Sequence, residues 1–316
     1  MVRHDADAAD DEPWIVPFPS QGRRVVDPAR RQRTIRRTAS VTGVGYWSGK
    51  TVTVEFRPAP EDHGRVFVRA GEPPVAIPAL VGHRAPAERR TNLAADGVTL
   101  QMVEHVLAAL AALEIDNVAV HLDGDELPGC DGSALDFTEA LVTAGVVAQE
   151  RRVRPVTVTG FHRLGDDHAW IEVRPTTLAG LTIRYELDFP ECPAIGRQVY
   201  QTFVTPDGFR RELAPARTFI REAEAKALHD RGLATHVRMS ELLVFGDHGP
   251  IGNTLRYADE CVRHKILDLV GDLALAGRPI HAEIAAYRSG HRLNGDLTEL
   301  LLDAYGQPTA TRRAAA

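Results

Sequence analysis

Residues 263–273 read Arg-His-Lys-Ile-Leu-Asp-Leu-Val-Gly-Asp-Leu, and this stretch constrains the fold most tightly. On an α-helix, His264, Asp268 and Asp272 fall at i, i+4 and i+8 along a single stripe. Ile266, Leu267, Leu269, Val270 and Leu273 cover much of the remaining surface, so the helix should be largely buried. Buried charges need a partner or a metal ion. A His and a carboxylate one turn apart can hold one ion from the same side. The same spacing also describes an exposed polar face, because His-x-x-x-Asp is a common pattern.

A second charged pair interrupts an apolar helix expected over 101–113, at Val103-Glu104-His105. Neighbouring residues on a helix differ by about 100°, so one can ligate an ion while the other faces its bound water. His105, His264 and Asp268 would supply three protein ligands and leave a fourth position open, as in a catalytic zinc site. Bound zinc brings the pKa of its water to about 7, and Glu104 is the candidate base. A satisfied core pair accounts for Glu104-His105 alone just as well. A third segment, Tyr287-Arg288-Ser289-Gly290-His291, reads as a strand end entering a Gly turn, a setting that suits His291 as a general acid. Asp272, left over from the stripe, can orient His291 and stabilise its protonated form. As a lone loop histidine it would mean little.

Lysine is rare: the chain has 37 basic residues but only Lys50, Lys226 and Lys265 among them. One of the three sits inside the constraining helix, where a compact point charge can matter more than a planar fork. Drift toward Arg explains the count equally well. With 43 acidic residues the formal charge is −6, which argues against a nucleic-acid coat or a polybasic membrane binder. Hydrophobic residues at 44% with 25% charged belong to a globular chain. Cys130, Cys192 and Cys261 are widely spaced and form no CxxC, against a disulfide scaffold or thiolate zinc finger.

The N-terminal stretch is acidic where a signal peptide is basic and then apolar. The apolar run 106–113 is far short of the roughly 20 residues that span a bilayer. The expectation is a soluble cytoplasmic protein without a transmembrane segment. Two motifs fail on inspection. Ser48-Gly49-Lys50-Thr51 ends like a Walker A loop, but Val44 stands where Gly is needed and a strand follows. Ser133 lies in Asp131-Gly132-Ser133-Ala134 rather than GxSxG.

Along the chain, residues 1–30 are acidic, then Pro-containing, then Arg-rich, and read as a disordered leader. Residues 51–56 alternate with period two, which puts Val52, Val54 and Phe56 on one face of a strand. Further strands are expected at 117–122, 156–159, 169–173, 181–187 and 280–287. Helices are expected at 101–113, at 134–143 with Ser133 as N-cap, and at 223–231, 259–276 and 295–305. A break at Glu150-Arg151-Arg152 divides the chain into units 31–149 and 150–305, with a tail at 306–316. Each half runs from strands to helices, so two α+β layers sharing a cleft are expected. No internal repeat is visible.

Five segments in register carry a resemblance: Val103-Glu104-His105, Asp131-Gly132-Ser133-Ala134, Ala216-Arg217-Thr218-Phe219, His264-Lys265-Ile266-Leu267-Asp268 with Gly271-Asp272, and Ser289-Gly290-His291. Over about residues 32–302 the chain resembles the UDP-3-O-acyl-N-acetylglucosamine deacetylases, which perform the committed step of lipid A synthesis. The resemblance implies two similar two-layer sheet/helix domains, packed with the active site between their helical layers. It implies zinc, with ferrous iron as an alternative, on His105, His264 and Asp268. It also implies Glu104 as base, His291 as acid with Asp272 as its partner, and Thr218 at the oxyanion. Lys265 would contact the diphosphate, Arg288 would hold phosphate, and Phe219 would line the substrate site. Phe189, in Asp188-Phe189-Pro190, would stack on uracil. The implied partner is a UDP-linked acylated amino sugar. No nucleic acid or obligate protein partner is expected, and peripheral contact with a membrane is compatible with such a substrate.

The chain also departs from the family pattern. Trp47 replaces the usual His in the turn Gly45-Tyr46-Trp47-Ser48-Gly49, Met102 replaces Thr before Val-Glu-His, and Arg288 replaces Lys. After Thr218-Phe219 the family continues with Gly and apolar residues that line an acyl-chain passage, whereas this chain has Ile220-Arg221-Glu222. Arg221 and Glu222 either point outward or need partners inside that passage. Three functions therefore stand in order: the zinc deacetylase, a divergent deacetylase of another N-acylated amino sugar with an altered acyl pocket, and a catalytically silent binding protein.

Overall fold

Alternating strands build two sheets with one strand order. A computed structural model of the chain describes residues 30–238 and 241–306. The first sheet holds β1 (Ala39–Val44), β2 (Thr51–Pro58), β3 (Arg65–Arg69), β4 (Val75–Pro78) and β5 (Val118–Leu122) in the order β1-β2-β5-β3-β4. Val52, Val54 and Phe56 are buried on one face of β2, as the alternation requires. Strand β5 runs antiparallel to β2 and parallel to β3. A parallel neighbour demands a crossover, and α1 (Glu104–Ala112) lies within it, with α2 (Leu135–Ala144) following β5.

The second sheet repeats the plan. It holds β6 (His162–Gly165), β7 (Trp170–Arg174), β8 (Leu181–Phe189), β9 (Gly196–Phe203) and β10 (Ile280–Tyr287) in the order β6-β7-β10-β8-β9. The last strand again takes the centre, antiparallel to β7 and parallel to β8. Helix α3 (Glu222–Asp230) and then α4 (Glu260–Leu273) occupy the crossover, and α5 (His291–Tyr305) follows β10. Two similar domains were expected from the family resemblance, but their common strand order was not, because it is set by long-range pairing that no local pattern records.

Helices α1 and α4 are buried around nearly their whole girth. They cross where Gly271 of α4 meets the start of α1. A Cβ at 271 would stand 2.1 Å from the Glu104 carbonyl oxygen, so only glycine permits this approach. The approach brings Glu104 and His105 against the His264–Asp272 stripe.

Several boundaries differ from the sequence reading. The helix expected from residue 101 begins at Glu104: Gln101 bridges to Glu126, and Met102 takes a left-handed φ of 62° that no helix accommodates. Ser133 is not the N-cap of α2, a position held by Ala134, although its hydroxyl accepts from the Leu135 N–H at 3.2 Å. The strand expected at 156–159 is only Val156–Thr157, paired alongside β10. Residues 150–152 end a strand, Val146–Arg152, which pairs antiparallel with Arg31–Ile35.

Residues 1–29 of the expected leader and 307–316 of the expected tail lie outside the described residues. Arg30 does not behave as leader. Its guanidinium holds Asp116 through two hydrogen bonds of 2.6 and 2.9 Å. Among the described residues, no helix is long and apolar enough to cross a membrane.

Candidate active site

Three donor atoms converge between α1 and α4. One ligand atom from each of His105, His264 and Asp268 lies within 4.8 Å of the other two, and all three residues are buried. Asp268 Oδ1 is 3.3 Å from His264 Nε2 and 3.6 Å from His105 Nε2. Tetrahedral ligands at ordinary zinc–nitrogen distances stand about 3.3 Å apart, so the donor set fits a zinc-sized ion. The His264 Nδ1–H donates to the Ala216 carbonyl at 3.0 Å, which fixes the tautomer and leaves Nε2 with its lone pair. Burial pushes the His264 pKa down to about 4, so the imidazole is neutral, the form a metal requires.

Asp268 is held from its other side by the Lys265 ammonium, 2.8 Å from Oδ2. Burial opposes the Asp268 charge, but the groups around it, the Lys265 ammonium among them, hold the carboxyl well below the usual carboxylate range. The retained lysine thus sits on a candidate ligand.

Glu104 opens α1 and is buried beside His105. Its Oε2 accepts the Thr91 N–H at 3.0 Å. Burial raises its pKa, opposed chiefly by the charge on His291. The Thr91 hydroxyl donates to Asp272 Oδ1 at 2.5 Å and lies 3.3 Å from His291 Nδ1. One threonine therefore ties both carboxylates together, a residue that no sequence pattern singled out.

The expectation that His291 lies in a Gly turn is corrected: it is the first residue of α5, which begins four residues earlier than expected. Its Nδ1–H donates to Asp272 Oδ2 at 2.9 Å. Burial alone would lower its pKa, but Asp272 overrides this and pushes it up to about 9. Asn294 donates to the same Asp272 oxygen at 2.8 Å and accepts from the Ser289 hydroxyl. Asn294 was also missed in the sequence, since a polar residue inside a helix carries no signal of its partners.

The segment Ala216-Arg217-Thr218-Phe219 runs past His264. Arg217 and Glu260 form a buried pair at 2.8 Å, and Arg217 also donates to Asn253 and to the Thr254 carbonyl. That anchor sets the Ala216 carbonyl against His264. The main chain of Thr218 bonds to Gly132 and Leu243, and its hydroxyl has no hydrogen-bond partner among the described residues. The Phe219 ring meets His264 edge-on, with centroids 6.5 Å apart, and meets Phe189 at 5.7 Å. Arg288 is exposed and has a left-handed φ of 49°.

Arg221 and Glu222 do not enter an apolar passage as unpaired charges. Arg221 is half-buried against Glu224 at 3.0 Å and Glu191 at 3.5 Å, while Glu222 is exposed. Arg89 reaches Glu224 from the other half of the molecule at 2.8 Å. Arg221 and Arg89 together lower the Glu224 pKa to about 2, overcoming the opposite effect of burial.

Known proteins resemble the chain over most of its length. The family model described as UDP-3-O-acyl N-acetylglycosamine deacetylase (LpxC) matches residues 32–303. The UDP-3-O-acyl-N-acetylglucosamine deacetylases of Brucella ovis, Brucella canis and Brucella suis are each 39% identical over 274 residues, covering 86% of this chain and 95% of theirs. The match spans both sheets and every residue of the site, and the chain belongs to the UDP-3-O-acyl-N-acetylglucosamine deacetylase family.

Proposed function

We propose that this chain is a zinc-dependent hydrolase that removes the N-acetyl group from UDP-3-O-acyl-N-acetylglucosamine, the committed step of lipid A biosynthesis. The observation that carries the reading is the convergence of His105, His264 and Asp268 beside the buried Glu104 and the His291–Asp272 pair. A zinc ion, or ferrous iron, held by the three donors would supply Lewis-acid polarisation of the acetamide carbonyl and of the attacking water.

The chain's own groups do the rest. Glu104, held by the Thr91 N–H, takes the proton of that water. The unpaired Thr218 hydroxyl donates to the developing oxyanion, an interaction typically worth roughly 2.7–4 kcal/mol in the transition state. His291, kept charged by Asp272, gives its proton to the leaving amine. Lys265 and Arg288 serve the diphosphate, and Phe189 with Phe219 offers an aromatic wall to the uracil and sugar. The same reading places the two units, 31–149 and 150–305, on either side of the substrate. It assigns the chain to the cytoplasm, in keeping with free thiols at Cys130, Cys192 and Cys261.

The test is acetate release from the acylated UDP-sugar by protein stripped with chelator and then restored with zinc. Metal-restored turnover supports the reading, and failure to turn over with one bound metal overturns it. A second reading, deacetylation of an amino sugar with a short or missing O-acyl chain, is favoured by the Arg89–Glu224–Arg221–Glu191 network and by the absence of any fully buried residue in α3. Equal rates on acylated and non-acylated UDP-sugars would select it.

A further inference from the structure

The cations around the site are mostly spent on protein carboxylates. Lys265 is paired with Asp268, Arg89 with Glu224, and Arg84 with Asp296. Arg90 is different. Its guanidinium carbon lies over the Trp47 ring, 4.4 Å from the centroid, and its Nε is sealed from solvent with no hydrogen-bond partner. Among the described residues no carboxylate is paired with it. The next residue, Thr91, carries the N–H on Glu104 and the hydroxyl on Asp272, so Arg90 sits at the edge of the catalytic network.

The platform beneath it is rigid. Buried Glu126 accepts the N–H groups of Trp47 and Ser48 at 2.8 Å each, and the Gly45 carbonyl lies 2.9 Å from His236 Nε2. Trp47, the departure from the family's turn, thereby acquires a purpose: its indole holds the guanidinium flat. A planar guanidinium fixed on an aromatic face presents its free donors in the fork that matches phosphate oxygens.

We propose that Arg90, positioned by Trp47, binds the diphosphate of the nucleotide-sugar substrate. The proposal rests on the deacetylase reading, because in that substrate the full negative charges lie on the diphosphate. Lys265 already neutralises Asp268, so Arg90 would add a further cation to that charge beside Arg288.

The experiment measures UDP binding to zinc-loaded full-length protein by calorimetry, with steady-state kinetics on the acylated substrate alongside. Arg90→Met keeps the stem that packs on Trp47 and removes the donors. Its UDP affinity should fall about tenfold or more, the worth of a charge-assisted hydrogen bond, with KM rising in step and kcat little changed. Arg90→Lys should recover part of the loss. Trp47→Leu, which removes only the platform, should weaken UDP binding by a smaller factor, and it serves where Arg90→Met fails to fold. UDP bound equally by wild type and Arg90→Met overturns the proposal while sparing the deacetylase reading. So does a raised KM with unchanged UDP affinity, which would place the contact on the sugar or acyl ester. Wild-type protein that ignores UDP would overturn the deacetylase reading itself.

Discussion

Replacing Gly271 by alanine tests whether the helix crossing builds the site. The added Cβ would lie 2.1 Å from the Glu104 carbonyl oxygen, about 1.3 Å inside ordinary contact. Backbone sits on both sides of this contact, so α1 and α4 must separate instead of a side chain turning away. Alanine gains about 1 kcal/mol of helix propensity over glycine, and overpacking costs about 1–3 kcal/mol, so the net loss of stability is about 0–2 kcal/mol. Geometry suffers more. A shift near 1 Å carries Glu104 and His105 away from Asp268 and Asp272, and displacement on that scale costs about 10²-fold in rate. Measured by acetate release with zinc in excess, kcat/KM should fall about 100-fold, while the thermal midpoint falls by only a few degrees. Zinc affinity should fall as well. Full activity with stoichiometric metal in Gly271→Ala would refute the view that this contact sets the site, as would a loss no larger than the unfolded fraction.

Further outcomes follow from the same geometry. Glu104→Gln should keep its metal and lose turnover by about 10²–10⁴-fold; near-wild-type turnover in a zinc-loaded variant would remove Glu104 as base. His291 acts while protonated and its pKa is raised to about 9, so activity should persist through neutral pH and fall as pH rises through about 9. Asp272→Asn should move that limb down toward the ordinary imidazole value, and a pH profile unmoved by the change would count against the pair. The same raised pKa stabilises the fold fully below the unfolded imidazole value, and this contribution is lost as pH climbs through about 9. Arg217→Met leaves Glu260 buried without its partner and should cost about 3–5 kcal/mol in chemical denaturation; an unchanged midpoint would show that the pair does not anchor the strand beside His264.

The residues with chemistry to offer were legible in the sequence because helical periodicity is local. The spacing of His264, Asp268 and Asp272, set in an apolar surround, already demanded burial and a partner for the charge. Glu104-His105 stood out for the same reason. Strand faces such as Val52, Val54 and Phe56 were equally plain, since alternation needs only neighbours along the chain. What the sequence could not supply was anything decided by pairing across space. The common strand order of the two sheets depends on contacts such as β10 with β8, between segments about a hundred residues apart. Thr91 carries no motif, yet it joins Glu104 to Asp272, because the chain just ahead of the strand Asn92–Ala95 passes both. His291 looked like a turn residue because Gly290 precedes it, and only docking of α5 against Asp272 made it the start of a helix. Arg221 looked misplaced until Glu191 and Glu224 came to meet it. Local chemistry named the donors; the close crossing at Gly271, which no single helix can specify, put them around one point.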